Sequence, residues 1–228
     1  MALICFDLDG TLVDPLQAMN HCLRKTCEGF GLPCPPSAQV AASIGRPVAE
    51  LLASLPGMDD PARQAAVLER YRTLFQEEGI ALHRIYDGVL LMLTRLKHQG
   101  HGLYAVTVKP VRMARRVLHQ FDLLLAFEEV FGGEPEAGLR TKGEVIAHLR
   151  QRGTLQPGGF LVGDRAEDVA AATANGLTPL GVSYGFGGAA ELRAAGCATV
   201  FDTVTALDDW FKEKLQQPEI HDSFSRSE

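Results

Sequence analysis

"ALICFDLDGTL", residues 2–12, sets the apolar run Ala2–Phe6 directly against two carboxylates, Asp7 and Asp9, spaced two residues apart. In an extended segment, residues i and i+2 point to the same side. Two anions held at the rim of a core repel each other and lose hydration. A strand that ends this way calls for a partner that offsets both penalties, and the partner has to be sought further along the chain.

Working outward, the same kind of short apolar run recurs as "GLYAVTV" (102–108), "EVFGG" (129–133), "GFLVGD" (159–164), "TPLGVSY" (178–184) and, more weakly, "ATVFD" (198–202). Helical patterns alternate with these runs. "GVLLMLTRLKHQG" stops at Gly100, "VRMARRVLHQF" follows Pro110, and "AEDVAAATANG" ends at Gly176. "TKGEVIAHLRQRG" opens with Thr141 and Glu144 in capping-box spacing and closes at Gly153. Continuous apolar strands alternating with helices predict an α/β fold: a doubly wound parallel sheet covered on both faces.

Residues 15–83 break the alternation, because they carry helical patterns only and are too long for a simple crossover. They are expected to form an all-helical cap inserted after the first strand, with connectors near Asp14 and Ile85. Residues 1–14 and 84–215 then make the core, and the polar tail 216–228 is expected to fray.

With 228 residues, 46% hydrophobic and 22% charged, the chain resembles a soluble globular protein with a substantial core. Its net charge of −6 argues against a broad nucleic-acid or acidic-membrane surface. No apolar run approaches the ~18 residues that span a bilayer. "MALICFDLDG" lacks a basic leader and meets acids early, so a cytoplasmic protein is the expectation. Five cysteines without CxxC spacing read as reduced, structurally ordinary thiols. Nothing demands more than a monomer or a weak homodimer.

In an open parallel sheet the carboxyl ends of the strands form the ligand-binding edge. Asp7 and Asp9, Thr107, and Asp164 with Asp168 one helical turn on all fall there, and Lys142 starts the helix capped by Thr141. Several carboxylates coexist at one edge when they share a hard cation, and an all-oxygen set favours Mg2+. Gly10 and Thr11 offer backbone N–H groups, Thr107 a hydroxyl and Lys142 a charge, which suits a phosphate. Each has a plainer reading. The Asp pair near Gly is an ordinary turn, Thr107 an edge residue, and Asp168 a favourable acid in a first helical turn. Lys142 competes with Lys109 and Arg140, both readable as solvated charges. Arg46 in "SIGRP" (43–47) faces a substrate anion or merely solvent.

"DLDGTL", "VTVKP", "TKGEVI" and "VGDRAED", in this order, resemble the haloacid dehalogenase superfamily, and within it the phosphoglycolate phosphatase-like hydrolases with a helical cap. The resemblance spans Ala2 to about Leu215. It implies a Mg2+-dependent phosphatase acting on a small phosphorylated metabolite such as phosphoglycolate or a nucleoside monophosphate. It further implies Asp7 as nucleophile forming an aspartyl-phosphate and Asp9 as general acid, then base. Asp9 would help hold Mg2+ by its backbone carbonyl, beside Asp7, Asp164 and Asp168. Thr107 and Lys142 would hold the phosphoryl group. Val108 stands where relatives carry Asn or Ser, so only its backbone N–H serves there. A sugar phosphomutase and a non-catalytic phosphate-binding or regulatory protein are the competing readings. Dehalogenation has no use for Asp9, and a phosphonate hydrolase would need a cap lysine that only Lys25 supplies.

Overall fold

The computed structural model describes residues 1–133, 138–156 and 158–215, so the tail expected to fray lies outside the described residues. The strands are β1 (Leu3–Phe6), β2 (Val13–Asp14), β3 (Arg84–Ile85), β4 (Gly102–Val106), β5 (Glu129–Phe131), β6 (Phe160–Gly163), β7 (Thr178–Val182) and β8 (Thr199–Phe201). Six of them form one sheet in the order β5-β4-β1-β6-β7-β8, with every neighbouring pair parallel. β1 lies at the centre, and the order of the chain through the sheet reverses between β1 and β6. That reversal opens the crevice in which such sheets bind ligands.

The helices are α1 (Leu16–Phe30), α2 (Ser37–Ser43), α3 (Val48–Ala53), α4 (Pro61–Leu74), α5 (Val89–His98), α6 (Val111–Gln120), α7 (Lys142–Gln151), α8 (Ala166–Ala174), α9 (Gly188–Ala194) and α10 (Val204–Lys214). Their ends follow local chemistry. Thr141 Oγ1 accepts from Glu144 N while Glu144 Oε2 accepts from Thr141 N, which closes the capping box that starts α7. Asp60 accepts from Ala62 N and Arg63 N ahead of Pro61, starting α4. α4 passes into a π-helical turn, Phe75–Gly79, which the apolar periodicity does not foretell. α9 and α10 were not read from the sequence either.

The alternation of β1 shows how the sheet is buried. Cys5 faces Val145, Ile146 and Leu149 of α7 and Ala171 and Ala172 of α8. Ile4 and Phe6 belong to the larger core with Met92 and Leu93 of α5 and Leu207 and Phe211 of α10. Helices on both faces account for strands apolar on both sides. The Phe6 ring meets Phe127 and Phe211 edge-on, each at 6.3 Å. Phe6→Ala is expected to destabilise the fold by about 3–5 kcal/mol and to loosen the strand end that carries Asp7.

The helical stretch between β2 and β3 contains no strand among its residues, and these two short strands pair antiparallel, Val13 with Ile85 and Asp14 with Arg84. The two chain crossings into the inserted helices therefore run side by side, next to the turn that carries Asp9.

Candidate active site

Asp7 follows β1 and its N–H donates to Val162 O at 2.9 Å, which extends the β1–β6 ladder one residue toward the crevice. Asp164 follows β6 in the same way, and Asp168 lies in the first turn of α8. Carboxylate oxygens from Asp7, Asp164 and Asp168 all come within 4.8 Å of one another, and all three residues are buried. Lys142 is buried among them: its Nζ lies 2.9 Å from Asp7 Oδ1 and donates also to Asp168 Oδ1. Asp168 Oδ2 meanwhile accepts from Arg165 N at 3.1 Å. Asp168 thus caps its own helix and also faces the acid cluster.

The electrostatics follow from this crowding. Burial, with Asp168 and Asp164 as further anions, holds the Asp7 carboxyl well above its ordinary range against the pull of Lys142. Burial and then Asp168 raise Asp164 to about 7. Burial works against the Lys142 charge, yet Asp168 and Asp7 together keep its pKa raised. Three carboxylates against one ammonium leave an excess of negative charge, and Asp7 Oδ2 is buried without a hydrogen-bond partner. An oxygen-only, anion-rich, incompletely paired cluster fits a hard divalent cation such as Mg2+.

Glycines let the backbone close around Asp164. A Cβ at Gly10, whose φ is +92°, would lie 2.3 Å from Asp164 Oδ2, and one at Gly187 would lie 2.1 Å from Asp164 O. Only glycine fits such approaches. Phe186 N–H donates to Asp164 Oδ2 at 2.7 Å, so the loop after β7 fixes this carboxylate. Sequence reasoning passed over that loop, although the glycine cluster "GFGG" (185–188) just beyond a strand is its signal.

Gly10 and Thr11 lie in the turn after β1. Gly10 N–H donates to Val13 O at 2.8 Å and Thr11 N–H points to Leu8 O at 3.4 Å, because the turn closes on its own carbonyls. Those amides are therefore engaged within the turn. Thr11 instead turns its hydroxyl toward Asp164 Oδ1 at 3.5 Å, and its carbonyl accepts from Tyr184 Oη at 2.9 Å.

Asp9 stands apart from the buried trio. Its Oδ1 pairs with Lys109 Nζ at 2.7 Å, with His83 Nε2 at 4.0 Å. Lys109, read from sequence as solvated, is only 11% exposed at its side chain, whereas Arg140 is exposed. His83 was not singled out at all; burial and then Lys109 depress its pKa to about 4. Thr107 is buried one residue past β4, and its Oγ1 accepts from Lys109 N at 3.2 Å, which leaves the hydroxyl proton free to donate. Val108 is half-buried, with its carbonyl against Gly133, where a Cβ would come within 2.5 Å.

Arg46 lies beside the site without entering the cluster. Its Nε donates to Glu167 Oε1 at 3.1 Å, next in sequence to Asp168. Arg165 reaches the same segment, with its guanidinium toward Ala42 O at 3.5 Å and its Cγ 3.0 Å from where a Gly45 Cβ would stand. The loop 43–47 thus rests on the start of α8. Among the described residues no helix is long and apolar enough to cross a membrane.

The profile of the haloacid dehalogenase-like hydrolases matches residues 4–182, and the chain belongs to that family. It is 34% identical over 192 residues to a 5'-nucleotidase of Pseudomonas aeruginosa, covering 84% of this chain and 86% of that one. It is 32% identical to the tyrosine-protein kinase PtkA of Mycobacterium tuberculosis over 93% of this chain and 72% of that one. With a phosphoglycolate phosphatase of Haemophilus influenzae it shares 30% identity over 90% and 96% of the two chains. A crystal structure of a predicted phosphatase from Clostridium acetobutylicum superposes with a TM-score of 0.83 at 27% identity, covering 93% and 98%. The parallel-sheet fold with an inserted helical cap and the assignment to a hydrolase family both stand.

Proposed function

We propose that the protein hydrolyses a small phosphomonoester, of the phosphoglycolate or nucleoside monophosphate type, with Asp7 as nucleophile. The observation that carries this reading is the partnerless Asp7 Oδ2 at a strand end, with Lys142 and two further buried carboxylates around it. The phosphatase and nucleotidase names of its relatives support it.

Asp7 attacks phosphorus as the ester P–O bond breaks, and Asp9 gives its proton to the departing alcohol oxygen. Water, deprotonated by Asp9, then releases phosphate from the aspartyl-phosphate. Dividing one difficult displacement into two is the advantage of a covalent intermediate. Thr107 donates its free hydroxyl proton to a phosphoryl oxygen, and Lys142 offsets developing charge there. Asp7, Asp164 and Asp168, with the Asp9 carbonyl, would hold Mg2+, which supplies further Lewis-acid stabilisation of the phosphoryl oxygens. The inserted helices 15–83 act as the cap over core residues 1–14 and 84–215, with the β2–β3 ribbon as the hinge. Cap closure excludes water during the first step. Arg46, now on Glu167, is positioned to exchange that partner for a substrate anion.

The kinase name of one relative makes the fate of the phosphoryl group the point to test. Turnover of a labelled phosphomonoester is quenched and residue 7 examined by mass spectrometry. The expected result is phosphate on Asp7 during turnover and free phosphate as the product. Product formation with no label at Asp7 overturns the mechanism. Label passing to a second organic acceptor rather than to water overturns the hydrolytic reading.

A further inference from the structure

Asp9 is held by a lysine that is itself clamped from three sides. Lys109 Nζ lies 2.7 Å from Asp9 Oδ1, 3.4 Å from His83 Nε2 and 5.0 Å from the centroid of the Phe75 ring. His83 Nδ1 sits 3.1 Å from Gly79 O, a carbonyl that can only accept, so Nδ1 carries the proton and Nε2 presents a lone pair to the ammonium. The Phe75 ring packs edge-on against the His83 ring at 5.3 Å and offers its face to Nζ. The backbone is fixed as well. Lys109 N donates to Thr107 Oγ1 at 3.2 Å and Lys109 O accepts from Gly133 N at 3.2 Å. A Cβ at Gly132 would stand 2.5 Å from Lys109 O.

An ammonium can only donate, so the Asp9 oxygen it touches is an acceptor. When Asp9 is protonated, its proton belongs on the other oxygen, Oδ2. We propose that Lys109 is the positioning residue for Asp9, fixing which oxygen carries the transferable proton and where it points, with His83 and Phe75 as its supports. This rests on the reading of Asp9 as proton donor to the leaving alcohol. In that step the proton passes from Asp9 Oδ2 to the ester oxygen as the P–O bond breaks and Asp7 bonds to phosphorus. Because Phe75 and Gly79 belong to the π-helical turn that continues α4, the inserted helices help set the acid in place.

The test exploits leaving groups. An alkoxide needs a proton as it departs, whereas p-nitrophenolate leaves as a stable anion. The ratio kcat/KM reports the first irreversible step, in which the alcohol leaves, and so excludes the later work of Asp9 as base. kcat/KM is measured with an alkyl phosphate and with p-nitrophenyl phosphate for the unaltered protein, Asp9→Asn and Lys109→Met. Both variants are expected to lose about 100-fold on the alkyl ester and at least about tenfold less on the aryl ester. Equal losses on the two esters, or no loss, in a folded Lys109→Met protein overturn the proposal. Should that variant fail to fold, Lys109→Gln, which keeps a neutral donor, is read by the same ratio. Lys109→Arg, which retains a cation, is expected to recover part of the alkyl-ester activity. Failure of the functional reading shows separately, as no turnover of either ester by the unaltered protein, and it removes this inference with it.

Discussion

Lys142 Nζ and Asp7 Oδ1 lie 2.9 Å apart, both buried, and the same ammonium also holds Asp168. One cation serving two carboxylates in a cluster of three leaves Asp7 under strain that an amide would relieve. A carboxyl whose folded pKa is raised destabilises the protein progressively as pH climbs above its unfolded value. Asp7→Asn keeps the shape and removes the charge. In metal-free protein at neutral pH it is expected to raise Tm, by about 2–4 °C for each kcal/mol relieved in a chain of this size. Phosphate release should meanwhile fall below detection, because the amide cannot form the acyl phosphate and uncatalysed hydrolysis is extremely slow. Thermal unfolding and a phosphate assay on the same sample check both directions, and a less stable variant would contradict the account of the charge.

The excess of negative charge predicts a stabilising response to Mg2+. A ligand that binds only the folded state at 100 times its Kd stabilises by about 2.7 kcal/mol, hence a Tm rise of roughly 5–10 °C. EDTA should abolish both the rise and phosphate release. Asp164→Asn retains an oxygen that can accept from Phe186 N, so it should fold yet lose most of the Mg2+-dependent shift. A full shift in that variant would place the ion elsewhere.

Much of this site was legible because its parts sit at strand ends, where a continuous apolar run gives way to an acid or a hydroxyl. Asp7, Asp164 and Thr107 are of this kind, and Lys142 was marked by the capping box beside it. What escaped the sequence was whatever depends on side-chain direction across the fold. Lys109 looks like any lysine before a proline, and only the approach of Phe75 and His83 from the inserted helices removes it from water. The π-helical turn that delivers Phe75 has no periodic signature. The bonds that tie the Gly10 and Thr11 amides into their turn escaped too, because a turn's internal hydrogen bonds cannot be counted from composition. α10 went unread, and its importance comes from Phe211 reaching Phe6 across the chain.

The contact between loop 43–47 and Arg165 predicts a substitution that acts on binding. Gly45 has φ +96°, and a Cβ there would meet Arg165 Cγ at 3.0 Å. Gly45→Ala therefore strains the resting position of this loop by about 1–3 kcal/mol. If the strain falls on the closed cap, KM should rise roughly 5- to 150-fold with a smaller change in kcat. Steady-state kinetics on the best phosphomonoester check it. A fall in kcat at constant KM would show that the loop does not govern substrate capture.

His83 gives the stability a defined pH dependence. Its side chain is fully buried and its pKa is depressed to about 4 from an ordinary 6.5. Below 6.5 the unfolded chain takes up a proton that the folded protein refuses, so stability is fully present above that pH and declines as pH falls toward 4. The shift corresponds to a loss on the order of 3 kcal/mol across this window. Asp7 and Asp164, with raised values, work in the opposite sense and favour the folded state as they protonate. The His83 contribution is therefore best isolated as a difference. Urea unfolding of the unaltered protein and of His83→Gln is compared from pH 7 to pH 4. The glutamine variant should be less stable at pH 7, having lost the ring that packs against Phe75, and the gap should narrow steadily as the pH drops. A gap that stays constant would mean that His83 is protonated in the folded protein, and the clamp on Lys109 would then lack its acceptor.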